Sequence, residues 1–176
     1  EQTKVPVAPI VAFDGSREMI GRDFILMERL PGRPMSELAR CDTDRILEQS
    51  GEYLSQAHAL KTQSGQYGYL GEHRCMEPQD SWAEAFRVMW NKLLDDIVQV
   101  GMYRQGERDD LTGLLEKDYA IFDRPVEPSL LHMDVWAQNI LVDEKSNVTG
   151  LVDWDRGLWG DVEIEFAVLD YCGISQ

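Results

Sequence analysis

Apolar and polar positions divide the chain into an extended opening, a helical middle and a strand-and-turn region towards the end. Residues 11–13 (VAF) and 24–30 (FILMERL) are β-rich runs, and Asp14-Gly15-Ser16 between them has turn chemistry, so two strands around a polar turn are expected. The cluster Pro31-Gly32-Arg33-Pro34 breaks this pattern, and a linker between two units is placed there. From Asp42 onward Ile46, Leu47, Tyr53, Leu54, Ala57 and Leu60 recur at helical spacing. Residues 64–71 are polar and glycine-rich and predict a loop. Ser81-Trp82-Ala83-Glu84 has the S-x-x-E form of a capping box, opening a helix with a buried stripe of Trp82, Phe86, Met89, Leu93 and Ile97. A weaker helix carries Leu111, Leu114, Leu115 and Phe122, with Gly113 in its interior. From Ser129 the period shortens: apolar pairs and triplets at 130–131, 140–142 and 151–152 alternate with polar turns, and residues 144–147 form a hairpin connection. The tail from Asp161 returns to helix.

The densest polar residues gather in that last region, LLHMDVWAQNILVDEKSNVTGLVDWD. His132-x-Asp134 is followed after four residues by Asn139 and, beyond the hairpin, by Asp153. Phosphoryl transfer needs a carboxylate to accept the attacking hydroxyl's proton and hard oxygen ligands for the magnesium that bridges the phosphates. Two aspartates and an asparagine around a short loop and a hairpin supply those groups, at the spacing of the kinase template H-R-D-x-x-x-x-N. A single aspartate in a loop is ordinarily a turn residue or a cap; the register of four residues singles this one out.

Composition narrows the choice of function. The 17 basic and 32 acidic residues leave a net charge of −15, which repels phosphate backbones and makes nucleic acid an unfitting partner. The acid first keeps the protein soluble, and it also leaves a surface that attracts a cationic ligand. No apolar run approaches the roughly 20 residues that span a bilayer, so no membrane role is expected. The opening residues lack a basic stretch followed by a signal-type apolar core, which points to the cytoplasm. Cys41, Cys75 and Cys172 are odd in number and widely spaced, as free thiols in a reducing compartment are. No ligand spacing for structural zinc is present.

The runs His132-Met133-Asp134-Val135-Trp136-Ala137-Gln138-Asn139 and Val152-Asp153-Trp154-Asp155 resemble the signature of the aminoglycoside-phosphotransferase-like small-molecule kinases, whose relatives include fructosamine, choline and homoserine kinases. FILMERLPG is similar to the family's hinge strand. Tyr67-Gly68-Tyr69-Leu70 before Ser81-Trp82 resembles the lead into its substrate-side helices. Gly160-Asp161 followed by Glu165-Phe166-Ala167 resembles its G-D-P…D-L-A, with Val162 where Pro is usual and Glu165 where Asp is usual.

The resemblance implies an α+β fold: the mostly helical carboxy-terminal lobe of a protein-kinase-like fold with a small catalytic β-hairpin, preceded by the last strands and hinge of the amino-terminal lobe. Residues 1–33 would be the partial amino-terminal lobe and 34–176 the helical catalytic lobe, incomplete at both ends relative to the family. It implies ATP and Mg2+ as cofactors and a small-molecule hydroxyl as acceptor. Asp134 would be the catalytic base, Asn139 and Asp153 the magnesium ligands, and backbone groups of Glu28 and Leu30 the adenine contacts. His132 would brace the loop, and Asp155 would support the metal site or face the substrate.

The chain departs from that pattern before its hinge strand, where it has neither the Gly-rich loop nor the lysine that cover and pair the phosphates in protein-kinase-like enzymes. Gly65-x-x-Gly68-x-x-Gly71 follows the hinge and reads as a flexible loop, and there is no Walker-type motif. Two other function classes compete with the kinase: a kinase-like module that only binds a ligand, and a magnesium-dependent phosphohydrolase. The hydrolase would need a second water-activating metal or a nucleophile, for which no further cluster is found.

Overall fold

The computed structural model describes residues 3–70 and 76–167. In chain order the elements are β1 (Ile10–Asp14), β2 (Phe24–Met27), β3 (Arg33–Pro34), α1 (Thr43–His58), β4 (Gly68–Tyr69), α2 (Trp82–Gln99), α3 (Gln105–Asp118), β5 (Ser129–Leu131), β6 (Ile140–Val142), β7 (Val148–Leu151) and β8 (Leu158–Gly160), with 3-10 turns at Met35–Glu37, Tyr119–Ile121 and Val162–Ile164. The fold class is the expected α+β. Contacts divide the chain into two compact units, one built mainly from the chain up to Ala57 and from Asp134–Trp154, the other from His58–Met133 and Asp155–Glu165.

In the first unit β1 and β2 form an antiparallel ladder from Ile10↔Met27 to Asp14↔Phe24. The predicted turn closes as an Asx turn, in which the Ser16 N–H donates to Asp14 Oδ1 at 2.8 Å. The expected run to Leu30 is strand only as far as Met27, although the Glu28 N–H still donates to the Pro9 carbonyl at 2.9 Å. The Pro-Gly-Arg-Pro cluster is not loose: Arg33 and Pro34 pair with Val142 and Leu141, and Thr149 Oγ1 donates to the Pro31 carbonyl at 2.6 Å. Gly32, at φ +99°, is required there, because a Cβ would come 2.4 Å from Thr149 Oγ1.

The sheet β3-β6-β7 packs its inner face against α1. Ile46 and Leu54 of α1 meet Val135, Ile140, Val142, Val148 and Leu151, all buried. Each such side chain contributes about 1.5–3 kcal/mol on leaving water. Polar groups of α1 then fix the hairpin's far end. Gln49 donates to the Ser146 carbonyl and accepts from the Val148 N–H, both at 3.1 Å, and Arg45 reaches Asn147 Oδ1 at 2.5 Å. The predicted hairpin turn is itself closed by Asp143, which accepts from the Lys145 and Asn147 N–H groups and from Asn147 Nδ2, each at 2.8 Å. Those bonds, the Asn147 side chain first, hold the Asp143 carboxyl below the usual aspartate value.

The second unit sets the sheet β4-β8-β5 against α2, which packs in turn on α3. Ser81 caps α2, its Oγ accepting from the Glu84 N–H at 3.2 Å. The Glu84 carboxylate instead takes Arg87 at 2.7 Å and the Tyr119 hydroxyl at 3.4 Å. The helices run antiparallel, as the contacts Arg87–Glu116, Asn91–Thr112 and Asp95–Arg108 show by stepping four residues forward on one and back on the other. An aromatic file, Tyr67, Trp82, Phe86 and Phe122, forms the core, with Phe86 and Phe122 stacked at 4.2 Å.

Several expectations are corrected here. Leu93 is 56% exposed and Leu94 is the buried residue, because the packed face of α2 turns gradually along its 18 residues. Leu114 is exposed while Leu115 is buried, and Phe122 lies beyond α3, following a 3-10 turn. Leu60 lies past the end of α1, where its carbonyl accepts from the Leu130 N–H. The expected loop over 64–71 contains β4, which pairs with β8, and Gly68 belongs to that strand. The tail after Asp161 begins as a 3-10 turn, with Asp161 Oδ1 accepting from the Glu163 N–H, and continues as the expected helix at residues 165–167. Cys41 is a free thiol, as expected. Gly71, His73, Cys75, Cys172 and the tail beyond residue 167 lie outside the described residues.

Candidate active site

The candidate site begins where β5 ends. Met133 sits at φ +65°, a left-handed conformation rare for a side chain of its kind, and delivers the chain into Asp134. Asp134 is buried, with 8% of its surface exposed, and so is Asn139, with 7%. Asn139 Nδ2 donates both to the Asp134 carbonyl at 2.9 Å and to Asp134 Oδ2 at 3.0 Å. Its N–H donates to the Trp136 carbonyl at 2.9 Å, so residues 136–139 form a tight turn into β6. With the amide nitrogen so engaged, the side-chain oxygen of Asn139 is the atom left to face a cation.

Asp153 reaches the same place from the other end of the hairpin. The Val152 N–H donates to the Asn139 carbonyl at 3.0 Å, one residue beyond β7, and Asp153 follows at φ +69° with its side chain exposed. Trp154 Nε1 donates to the Leu151 carbonyl at 3.0 Å and fixes the turn. The first unit thus holds Asn139 against Asp134, with Asp153 one residue past the backbone bond from Val152 to Asn139.

Glu28 and Leu30 belong to the same unit. The Leu30 side chain lies against β7, where a Cβ on Gly150 would come 2.7 Å from Leu30 Cδ1. The Glu28 N–H is donated to the Pro9 carbonyl at 2.9 Å.

The supporting residues fall in the second unit. His132 is fully buried, and Asp155 is exposed. Glu165 is 0% exposed and accepts from the N–H groups of both His132 and Met133, at 2.8 and 2.7 Å, a structural role. His58 places Nε2 3.3 Å from Glu165 Oε2. The signal available in advance was the G-D…E-F-A pattern around Glu165, which marks the position without its partners.

The donor set around the hairpin consists of oxygens, the chemistry that hard cations select. Among the described residues no group of three or more His, Cys, Asp or Glu side chains could hold a metal alone. Two protein ligands, completed by phosphate oxygens and water, is the way Mg2+ is commonly bound, and Asn139 with Asp153 fit it.

A strand-fed loop and hairpin backed by helices is the architecture of the kinase-type phosphotransferases. Residues 1–171 match the model of the phosphotransferase enzyme family, and the chain belongs to that family. Its fold is similar to that of aminoglycoside phosphotransferase APH(4)-Ia, with a TM-score of 0.69 at 19% identity over 95% of this chain. A thermostable mutant of that enzyme in ternary complex with ADP and hygromycin B gives 0.71 at 17% identity. The streptomycin–ATP–APH(2'')-IIa ternary complex gives 0.59 at 15% identity over 96% of this chain. The chain spans about half the length of these structures, 54–55%. A comparison with curated protein sequences finds no match. No helix among the described residues is long and apolar enough to cross a membrane.

Proposed function

We propose that the chain is the catalytic lobe of an ATP-dependent phosphotransferase that transfers the γ-phosphate to a hydroxyl of a small molecule: an aminoglycoside, amino-alcohol or sugar-like metabolite. The observation that carries this is the bonding of Asn139 Nδ2 to both the carbonyl and the carboxylate of Asp134, which pairs a buried carboxylate with the amide at the family spacing. Asp134 accepts the proton of the acceptor hydroxyl at its carboxylate as the oxygen attacks. Asn139 and Asp153 would hold Mg2+, which when bound offsets the charge of the phosphates. The Glu28 carbonyl and the Leu30 N–H meet the adenine edge. Residues 1–33 supply that hinge and 34–176 the catalytic lobe. The net charge of −15 favours a cationic acceptor and a cytoplasmic setting suits free ATP.

Calorimetric titration with ATP, with and without magnesium, tests the reading. Magnesium-dependent binding that Asp153→Asn removes supports it, and unchanged binding in that variant refutes the metal role. Binding without phosphorylation of any hydroxylated amine or sugar would favour a kinase-like ligand-binding module, whereas release of free phosphate would favour a phosphohydrolase.

A further inference from the structure

The β1–β2 hairpin is apolar where it meets solvent. Its register breaks once, between Ile10 and Ala12, and that bulge puts Ile10 and Phe13 on the same face, opposite Met27 and Ile25. All four side chains are at least half exposed. Among the described residues no third strand joins the ladder. A two-stranded hairpin alone is marginal in water, and a further strand or packed layer is what stabilises it. Val11 at the bulge and Met19 and Ile20 at the tip extend the exposed apolar surface to on the order of 800 Å². That exceeds the about 300–600 Å² of the largest patch on a typical monomer and matches one partner's share of a standard interface.

Charge selects the occupant. Residues 10–27 hold two arginines against three acids, and Arg17 pairs with Asp23 at 2.7 Å, so the hairpin is nearly neutral on a chain of net charge −15. A basic partner finds little to attract it there, whereas two copies of the chain, which repel elsewhere, can meet on this face without opposing like charges. The same patch on both partners is what a two-fold contact requires. We propose that the chain forms a two-fold dimer in which the face carrying Ile10, Phe13, Ile25 and Met27 packs against the same face of a second copy. This contact is independent of the kinase reading.

Sedimentation of the full chain over a concentration series should show a monomer–dimer equilibrium. Added salt should shift it towards the dimer, because screening weakens the repulsion between two acidic copies and leaves the apolar contact intact. Ile25→Lys buries a charge at the contact and should raise the dissociation constant about 30-fold or more. Leu26→Lys, on the opposite face of the same strand, should change it little. Should Ile25→Lys fail to fold, Phe13→Ser takes its place. A wild-type chain that stays monomeric at every concentration overturns the proposal, whatever else then covers the face. A dimer that Ile25→Lys leaves intact, or that Leu26→Lys weakens equally, lies elsewhere on the surface and overturns it as well. Dissociation on adding salt would mean that ion pairs hold the dimer, which also refutes the apolar contact.

Discussion

Asp134 and Asn139 illustrate how two adjacent buried polar residues can fail in different ways. Asn139 Nδ2 holds both the main-chain carbonyl and the carboxylate of Asp134. Asp134→Ala removes only the second acceptor, so the amide stays satisfied and the fold should hold, while kcat falls by about 10²–10⁴-fold with the loss of the base. A variant with near-normal turnover in a phosphate-transfer assay would sink the assignment of the base. Asn139→Ala removes the amide that donates to both the carbonyl and the carboxylate of Asp134 and should cost about 1–3 kcal/mol in a urea titration. Stability equal to wild type would show that the carbonyl finds another donor. The closeness of these two residues was legible in the sequence because it depends on four intervening positions. Glu165 was not, because its partners lie 32 and 33 residues away and only the tertiary fold brings them to it.

At the scale of the element, the β6–β7 hairpin owes its shape to its turn. Asp143 accepts three hydrogen bonds there and is held below the ordinary aspartate value of 3.8. Its folded-state pKa is lower than its unfolded one, so it binds protons more readily when unfolded. The stabilisation is therefore fully present above pH 3.8 and is lost as pH falls through the folded value. Denaturation midpoints measured from neutral to acid pH should converge for wild type and Asp143→Ala below that value; a constant gap would place the contribution outside the carboxylate's charge. The hairpin turn was readable because Asx turns are local chemistry. β4 and β8 were not readable, since strands of two and three residues are defined by the partners they pair with. The slip from Leu93 to Leu94 has the same origin: periodicity locates a helix face only to within the drift its neighbours impose.

Charge acts at the scale of the whole molecule. With 32 acidic and 17 basic residues the chain carries a field that no single ion pair accounts for, and it is most consequential for ligands that arrive from solution. If the acceptor is cationic, that field raises its local concentration, and salt screens it over a Debye length of about 8 Å at physiological ionic strength. KM for a cationic amino-sugar acceptor should then rise as salt is added, while KM for a neutral hydroxylated acceptor should stay level. The neutral acceptor is the control that matters, because salt also acts on ATP and its magnesium, and that effect is common to both. Parallel rises would therefore assign the salt dependence to the nucleotide. A rise confined to the cationic acceptor would show that the acidic surface takes part in recognition as well as in solubility.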